Sequence, residues 1–224
     1  KKAGLPKILI PTTAGTGSEV SPGAAVTDPG TKKFISSPYL FSDVAIVDPL
    51  MSMTMPPRIT AITGFDALSH AIETMLSIKS NVITDTLALG ALKLIANNLR
   101  AAYHDGKNIE ARHNMALAAT MSGIAMTNSS VVIGHAIAHV LDSKCNVRHG
   151  LACALALPYV MEHNLPVSTS KLVSIASAMN EEVSGLTMLE AASRALNAVT
   201  KLMEDVDIPT NLRELDVPRD ALPN

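Results

Sequence analysis

The stretch MPPRITAITGFDALSHAIETML, residues 55–76, marks the point at which the sequence changes from strand and loop patterns to helical ones. Two prolines open it, and Pro57 stands where the first turn of a helix tolerates proline. We predict a helix over 57–78 and a boundary between two structural regions near residue 55.

Downstream of this boundary the pattern remains helical. Ser80 or Asn81 can cap the second helix, and Thr187 with Glu190 forms a capping box at the start of the last one. Only 3% of the residues are aromatic, while alanine, leucine and methionine abound, which suits packed helices better than sheets. The predicted helices cover 57–78, 81–104, 108–127, 130–142, 148–163, 167–179 and 187–205.

Upstream, three runs indicate short strands: KILIP (7–11), a hairpin in 23–38 that turns at Asp28–Pro29–Gly30, and DVAIVDP (43–49). A glycine- and hydroxyl-rich loop, PTTAGTGSEVS, joins the first two. So few short strands form a poor independent sheet. The predicted fold is therefore mainly α, with an all-helical domain (56–224) preceded by the trailing strands of an incomplete α/β domain (1–55).

Composition limits the possible partners. The 224 residues are 47% hydrophobic and carry a net charge of −2, with no Lys/Arg cluster, so we expect no nucleic-acid partner. No apolar run reaches the length needed to span a bilayer, so we expect no membrane partner. Two cysteines suit a reducing compartment, and the expected location is cytoplasmic.

Histidines and one aspartate stand at spacings that suit a metal site. Asp66 and His70 are four residues apart and share one face of their predicted helix. His135 and His139 repeat that spacing, and His149 begins the next helix, where Gly150 allows close backbone approach. Each pair alone could be an ordinary helix residue pair. Asp66, His70, His135 and His149 together offer four oxygen and nitrogen ligands, which leaves His139 placed to relay a proton.

Two other segments could carry chemistry. Backbone N–H groups and hydroxyls of the loop at 11–19 can hold phosphate or ribose oxygens, although the loop fits no standard nucleotide motif and could be a flexible turn. Cys145 is expected to be inert, because only Lys144 and Arg148 argue for a lowered thiol pKa.

The segments PTTAGTGSEVS, TGFDALSHAIE and GHAIAHVLDSKCNVRHGLACALALPYVMEHN occur in the order and spacing that resemble the iron-containing (group III) alcohol dehydrogenases, over Ile8 to about Pro218. The resemblance implies a Rossmann-like domain, a helical domain, and Fe(II) or Zn(II) between them. It implies that His139 assists substrate binding or proton relay. By motif, the implied metal ligands are Asp66, His70, His135 and His149, and the implied cofactor contacts are Thr12, Thr13, Thr16, Lys33 and Leu50.

The function implied by this resemblance is NAD- or NADP-dependent, metal-assisted hydride transfer between an alcohol and an aldehyde or ketone. Small alcohols or aldehydes would be the substrates, and the protein would be a homo-oligomer, a dimer or larger. The resemblance also implies that the family's glycine-rich pyrophosphate motif precedes Lys1. The alternative is a non-catalytic, metal-binding helical fragment that lacks the cofactor half, or a helical scaffold that binds neither.

Overall fold

The computed structural model of the protein describes residues 4–28, 31–215, 217 and 219, and only the backbone of 27, 28 and 31–33. These residues are mainly helical, which confirms the predicted fold class. Short strands come first and six α-helices follow within the described ranges. The helices are α1 Pro57–Leu76, α2 Val82–His104, α3 Ile109–Asn128, α4 Ile133–Cys145, α5 His149–Ala178 and α6 Met188–Asp205.

The strands form two small sheets. β1 (Ile8–Leu9) pairs in parallel with β4 (Val44–Ala45). β2 (Gly23–Asp28) and β3 (Thr31–Ser36) form the predicted antiparallel hairpin, with Gly23 opposite Ser36. Of the predicted turn, Pro29 and Gly30 lie outside the described residues. The loop between β1 and β2 packs against α3.

Helix α1 lies at the centre of the helical bundle. Sixteen of its twenty residues are buried, and it packs against α2, α3 and α5. A helix buried on all sides is normally apolar all round. This one instead buries Asp66, His70 and Glu73 among its apolar side chains, and buried polar groups require partners. Helix α1 is therefore the element around which a polar site forms.

The caps explain where several helices begin. Asn81 caps α2, and Thr187 with Glu190 forms the capping box of α6, as predicted. The predicted start of the fourth helix was wrong. The prediction was 130–142, whereas α4 covers Ile133–Cys145. The backbone N–H of Val132 donates to the Glu73 carboxylate of α1, so the cap comes from a distant helix.

Helix α5 joins two predicted helices, 148–163 and 167–179, into one element with a local break. The break lies at Ser168, whose backbone is non-helical (φ −126°, ψ 23°), two residues after Pro166. Proline lacks the N–H that would continue the hydrogen-bond ladder, which weakens the helix here without ending it.

Among the described residues, no single helix is long and apolar enough to cross a membrane. Helices α3 and α4 meet that length and composition only as a pair, and the pair is bent by 109°.

Candidate metal centre

Helix α1 supplies the first two candidate ligands. Asp66 and His70 lie on one face, as their spacing predicts, with His70 Nε2 3.9 Å from Asp66 Oδ1. Both side chains are buried. Asp66 Oδ1 accepts no hydrogen bond from any described residue, which is costly for a buried carboxylate oxygen. A cation bound beside this oxygen would offset that cost.

The turn between α4 and α5 brings the remaining histidines to α1. Asn146 adopts the left-handed conformation (φ 53°) after α4, and α5 then starts at His149. A Cβ atom on Gly150 would lie 2.4 Å from the carbonyl oxygen of Ile62, so only glycine allows this approach. The predicted close packing of α5 is confirmed. It places His149 Nε2 3.8 Å from Asp66 Oδ1.

Four potential ligand atoms converge between the three helices. One donor atom each from Asp66, His135, His149 and Cys153 lies within 4.8 Å of all the others. Three of the four predicted ligands are in this group. The fourth, His70, lies beside it, with its ring stacked on that of His135 at a centroid distance of 4.7 Å. Cys153 joins the group although the sequence analysis gave it no role.

Glu73 fixes the orientation of His135. Its carboxylate accepts a 2.7 Å hydrogen bond from His135 Nδ1 and further bonds from the backbone N–H groups of Val132 and His135. Because Nδ1 is bonded to Glu73, Nε2 is the ring nitrogen left for a metal ion. The Glu73 side chain is 1% exposed, so water hardly competes for these bonds.

Burial and charge set the protonation of the site. Burial lowers the pKa of His70 to about 4, although the Asp66 carboxylate opposes the shift, so this imidazole is neutral near pH 7. Burial also lowers the pKa of His135, but the hydrogen bond and charge of Glu73 outweigh it and the net pKa is raised. Burial, followed by the Asp66 and Glu73 carboxylates, raises the pKa of the Cys153 thiol.

A cleft of about 730 Å³ opens onto these side chains. The hairpin and the β1–β2 loop form one wall, and helices form the other. His139 also lines the cleft, and its ring stacks on that of His149 at 5.1 Å. Phe34, Met126 and Val131 make part of the lining apolar. The cleft can therefore hold a small molecule that has one polar end against the imidazoles.

The predicted cofactor contacts are only partly brought together. Thr16 lines the cleft. Thr12 and Thr13 lie on the same loop but are not among the described lining residues, and neither is Leu50, which is 60% exposed. The backbone of Lys33 lies in β3, and its side chain is outside the described part of the molecule. These cofactor contacts remain predictions.

The sequence analysis missed Glu73 and Cys153. Both had a signal in the sequence. Cys153 follows His149 by four residues, the same helical spacing that singled out Asp66 with His70. Glu73 follows His70 by three and therefore lies on nearly the same face of α1. Cys145, considered for its thiol, is not in the donor group.

Comparison with known proteins identifies the family. The model of the Fe-containing alcohol dehydrogenase family, C-terminal, matches residues 60–224, and that of iron-containing alcohol dehydrogenase matches residues 1–49. The chain belongs to the iron-containing alcohol dehydrogenase family. One relative, long-chain-alcohol dehydrogenase 1 of Geobacillus thermodenitrificans (strain NG80-2), is 40% identical over 99% of this chain and 56% of its own length. The chain thus spans about half the length of the curated relatives it matches.

Solved structures of iron-containing alcohol dehydrogenases and related enzymes share the fold. The alcohol dehydrogenase from Oenococcus oeni is 35% identical, with a TM-score of 0.95 over 98% of this chain and 58% of that one. Sulfoacetaldehyde reductase from Bifidobacterium kashiwanohense, solved in complex with NAD+, is 34% identical, with a TM-score of 0.86 over 96% of this chain and 56% of that one.

Proposed function

We propose that this chain is the metal-holding part of an NAD(P)-dependent oxidoreductase that interconverts a small alcohol with its aldehyde or ketone. The observation that carries the proposal is the convergence of one carboxylate and several imidazoles from α1, α4 and α5 at the base of a cleft. A structural cluster would not need to open onto a cleft with an apolar wall. The names of its relatives, which include alcohol dehydrogenases, support the same reaction class.

The ligands of the metal would be Asp66, His70, His135 and His149. A divalent ion held there, Fe(II) or Zn(II), would supply Lewis acidity toward the substrate oxygen, and NAD or NADP would exchange the hydride. The buried Asp66 Oδ1, which accepts no hydrogen bond within the part of the chain that the structure describes, favours a cation at this point.

The other side chains of the cleft would position reactants and move a proton. His139, stacked on His149 beside the donor group, would carry the proton released by the alcohol. Glu73 would keep His135 Nε2 directed at the site. Phe34, Met126 and Val131 would exclude water from the apolar end of the substrate.

The threonine-rich loop would contact the dinucleotide through Thr16, with Thr12, Thr13, Lys33 and Leu50 as further predicted contacts. The NAD+ complex of the related sulfoacetaldehyde reductase supports this cofactor class. In the proposed organisation, residues 1–55 belong to the cofactor domain and 56–224 to the helical domain. We propose a cytoplasmic homo-oligomer, a dimer or larger.

The test compares His149→Ala with His163→Ala in the full-length protein that contains this chain. Both residues are on α5, but His163 is exposed and away from the cleft. We expect His149→Ala to lose stoichiometric metal and NAD(P)-dependent alcohol oxidation, while His163→Ala keeps both. Retention of metal and activity by His149→Ala would contradict the proposal.

A second variant separates proton handling from metal binding. His139→Asn should keep its metal but lose about 10²- to 10⁴-fold in kcat, because a general acid–base group contributes that much. Loss of metal in this variant would place His139 among the ligands instead. Metal binding without any cofactor binding in the unmodified protein would favour a non-catalytic, metal-binding role.

A further inference from the structure

We propose that the cleft selects unbranched alcohols that carry a single hydroxyl group, because Phe34 of the β2–β3 hairpin offers an apolar surface to their alkyl chain. The inference rests on the proposed function and names the substrate class of the same site. Phe34 would be a specificity-determining residue. It would contact the carbon chain, while the hydroxyl group would point toward the imidazoles at the base of the cleft.

The pairing of the hairpin places Phe34 on the face that lines the cleft. Phe34 lies opposite Ala25, and Gly23 lies opposite Ser36. Residues directly opposite one another share a face of a sheet, and so do alternate residues along one strand, so these four positions are on the same face. All four line the cleft. Phe34 is the largest of them and therefore forms most of the apolar surface of this wall.

Gly23 makes room for the ring of Phe34. A Cβ atom at Gly23 would lie 2.3 Å from Cζ of Phe34, so the tip of the ring lies directly over the glycine. The backbone N–H of Gly23 donates a 3.1 Å hydrogen bond to Ser21 Oγ. The N–H of Ser37 donates to the carbonyl oxygen of Pro22, which closes the base of the hairpin. The ring thus rests on a backbone segment that hydrogen bonds hold in place.

The Phe34 ring is available to a ligand. It is 69% exposed, although an aromatic side chain is stabilised when it is removed from water. Met126, near the end of α3, and Val131, just before α4, line the same cleft. An alkyl chain lying between these side chains and the ring would therefore bury apolar surface on both of its sides.

The charge of the cleft belongs to the candidate metal centre. Among the described residues that line the cleft, Asp66 has the one carboxylate, and the basic side chains are histidines. A second charged group on the substrate would thus lack an oppositely charged side chain in this part of the molecule. Serine and threonine hydroxyls also line the cleft, so a diol that pairs with them is the alternative that the experiment must distinguish.

The experiment measures kcat/KM of the full-length, metal-loaded protein for ethanol, n-butanol, n-hexanol and n-octanol at saturating NAD+ or NADP+. We expect kcat/KM to rise by about three- to four-fold per methylene group until the cleft is filled, which is the gain from removing one such group from water. 1,3-Propanediol replaces the terminal methyl group of n-butanol by a hydroxyl group. Its kcat/KM should be about ten-fold lower than that of n-butanol, because the second hydroxyl loses water at the apolar wall.

Variants test the role of the ring. Phe34→Ala should lower the ratio of kcat/KM for n-octanol to that for ethanol by about four-fold or more, because at least one methylene group returns to water. Phe34→Leu keeps an apolar side chain and should restore most of the ratio. Phe41→Ala is the matched control, since Phe41 is 40% exposed and is not among the described residues that line the cleft. Its ratio should equal that of the unmodified protein.

A binding measurement supports the kinetic one. Saturation-transfer NMR should show the terminal methyl group of n-octanol in contact with the unmodified protein and with Phe41→Ala. The same signal should be weaker with Phe34→Ala, while circular dichroism confirms that each variant keeps its helical fold.

The outcomes distinguish this inference from the proposed function. Three results would overturn the role of Phe34 and leave the oxidoreductase standing: kcat/KM that does not rise from ethanol to n-octanol, a preference for 1,3-propanediol over n-butanol, or a length dependence that Phe34→Ala leaves intact. If no alcohol of the series is oxidised with either cofactor, the proposed function fails and this inference fails with it.

Discussion

At the scale of single residues, Glu73 has two tasks in one carboxylate. It accepts hydrogen bonds from the backbone at the start of α4, where it acts as a cap, and from Nδ1 of the His135 ring. The negative charge also suits the positive end of the α4 dipole. A single side chain of α1 therefore sets both the start of α4 and the direction of a candidate ligand on it.

We predict that Glu73→Gln weakens metal binding by about 10- to 100-fold, the usual effect of removing an outer carboxylate partner of a ligating histidine. The amide keeps the volume but has one acceptor oxygen for three donors, and its NH2 group would face a donor. The measurement is a competition titration against a chromophoric chelator.

Glu190→Gln is the matched control, because it makes the same change in the exposed capping box of α6. Its metal affinity should equal that of the unmodified protein. Equal affinities for all three proteins would show that Glu73 does not orient the ligand.

At the scale of secondary-structure elements, the threonine-rich loop between β1 and β2 is held against α3 by backbone contact. A Cβ atom on Gly123 of α3 would lie 2.8 Å from Cα of Gly17, which has a left-handed conformation (φ 59°). Nearby, Thr120 Oγ1 donates a 2.7 Å hydrogen bond to the buried Glu19 carboxylate. The loop that carries Thr16 is thus fixed to a helix rather than being a free turn.

We predict that Gly123→Ala lowers the free energy of unfolding by about 1–3 kcal/mol, because an added methyl group would collide with backbone atoms that cannot rotate away. Gly90→Ala on α2 is the control. Its added Cβ would meet only the flexible end of Met121, and alanine favours a helix over glycine by up to about 1 kcal/mol. Urea denaturation of both variants checks this, and equal losses would contradict it.

The start of a helix could be predicted from the sequence where its capping residue lies within the same turn. The site residues could be predicted only where two of them lie one helical turn apart. Asn81 and the Thr187–Glu190 box marked the starts of α2 and α6 because a cap lies within one turn of the helix it serves. The start of α4 could not be found this way, because its cap is on α1. Likewise, the i,i+4 spacing predicted which side chains share one face of a helix. It could not show that the packing of α4 and α5 on α1 brings Cys153 into the same group of donor atoms.

At the scale of the whole molecule, a metal ion at the proposed site would tie α1 to α4 and α5. Asp66 lies on the central helix, and His135 and His149 lie on the two that follow each other around the Asn146 turn. An ion that binds the folded protein and not the unfolded chain stabilises the fold by mass action.

We predict that chelation lowers the melting temperature by roughly 5–10 °C. At a metal concentration about 100 times Kd the ion contributes about 2.7 kcal/mol, and 1 kcal/mol corresponds to about 2–4 °C in a domain of this size. Differential scanning fluorimetry measures the shift. A chelator already saturated with metal should leave the melting temperature unchanged. If the chelator also lowered the melting temperature of His149→Ala, the stabilisation would not come from a metal at the proposed site.

The buried polar face of α1 also bears on the order in which the chain folds. Asp66 and His70 are synthesised well before His135 and His149, and until α4 and α5 dock they must stay hydrated on a helix that is otherwise apolar. The complete donor group therefore exists only after α4 and α5 have packed on α1, and we expect it to be absent from the folding transition state. Interactions absent from the transition state act on the unfolding rate. A bound ion should consequently slow the opening of the finished molecule and leave its rate of formation nearly unchanged.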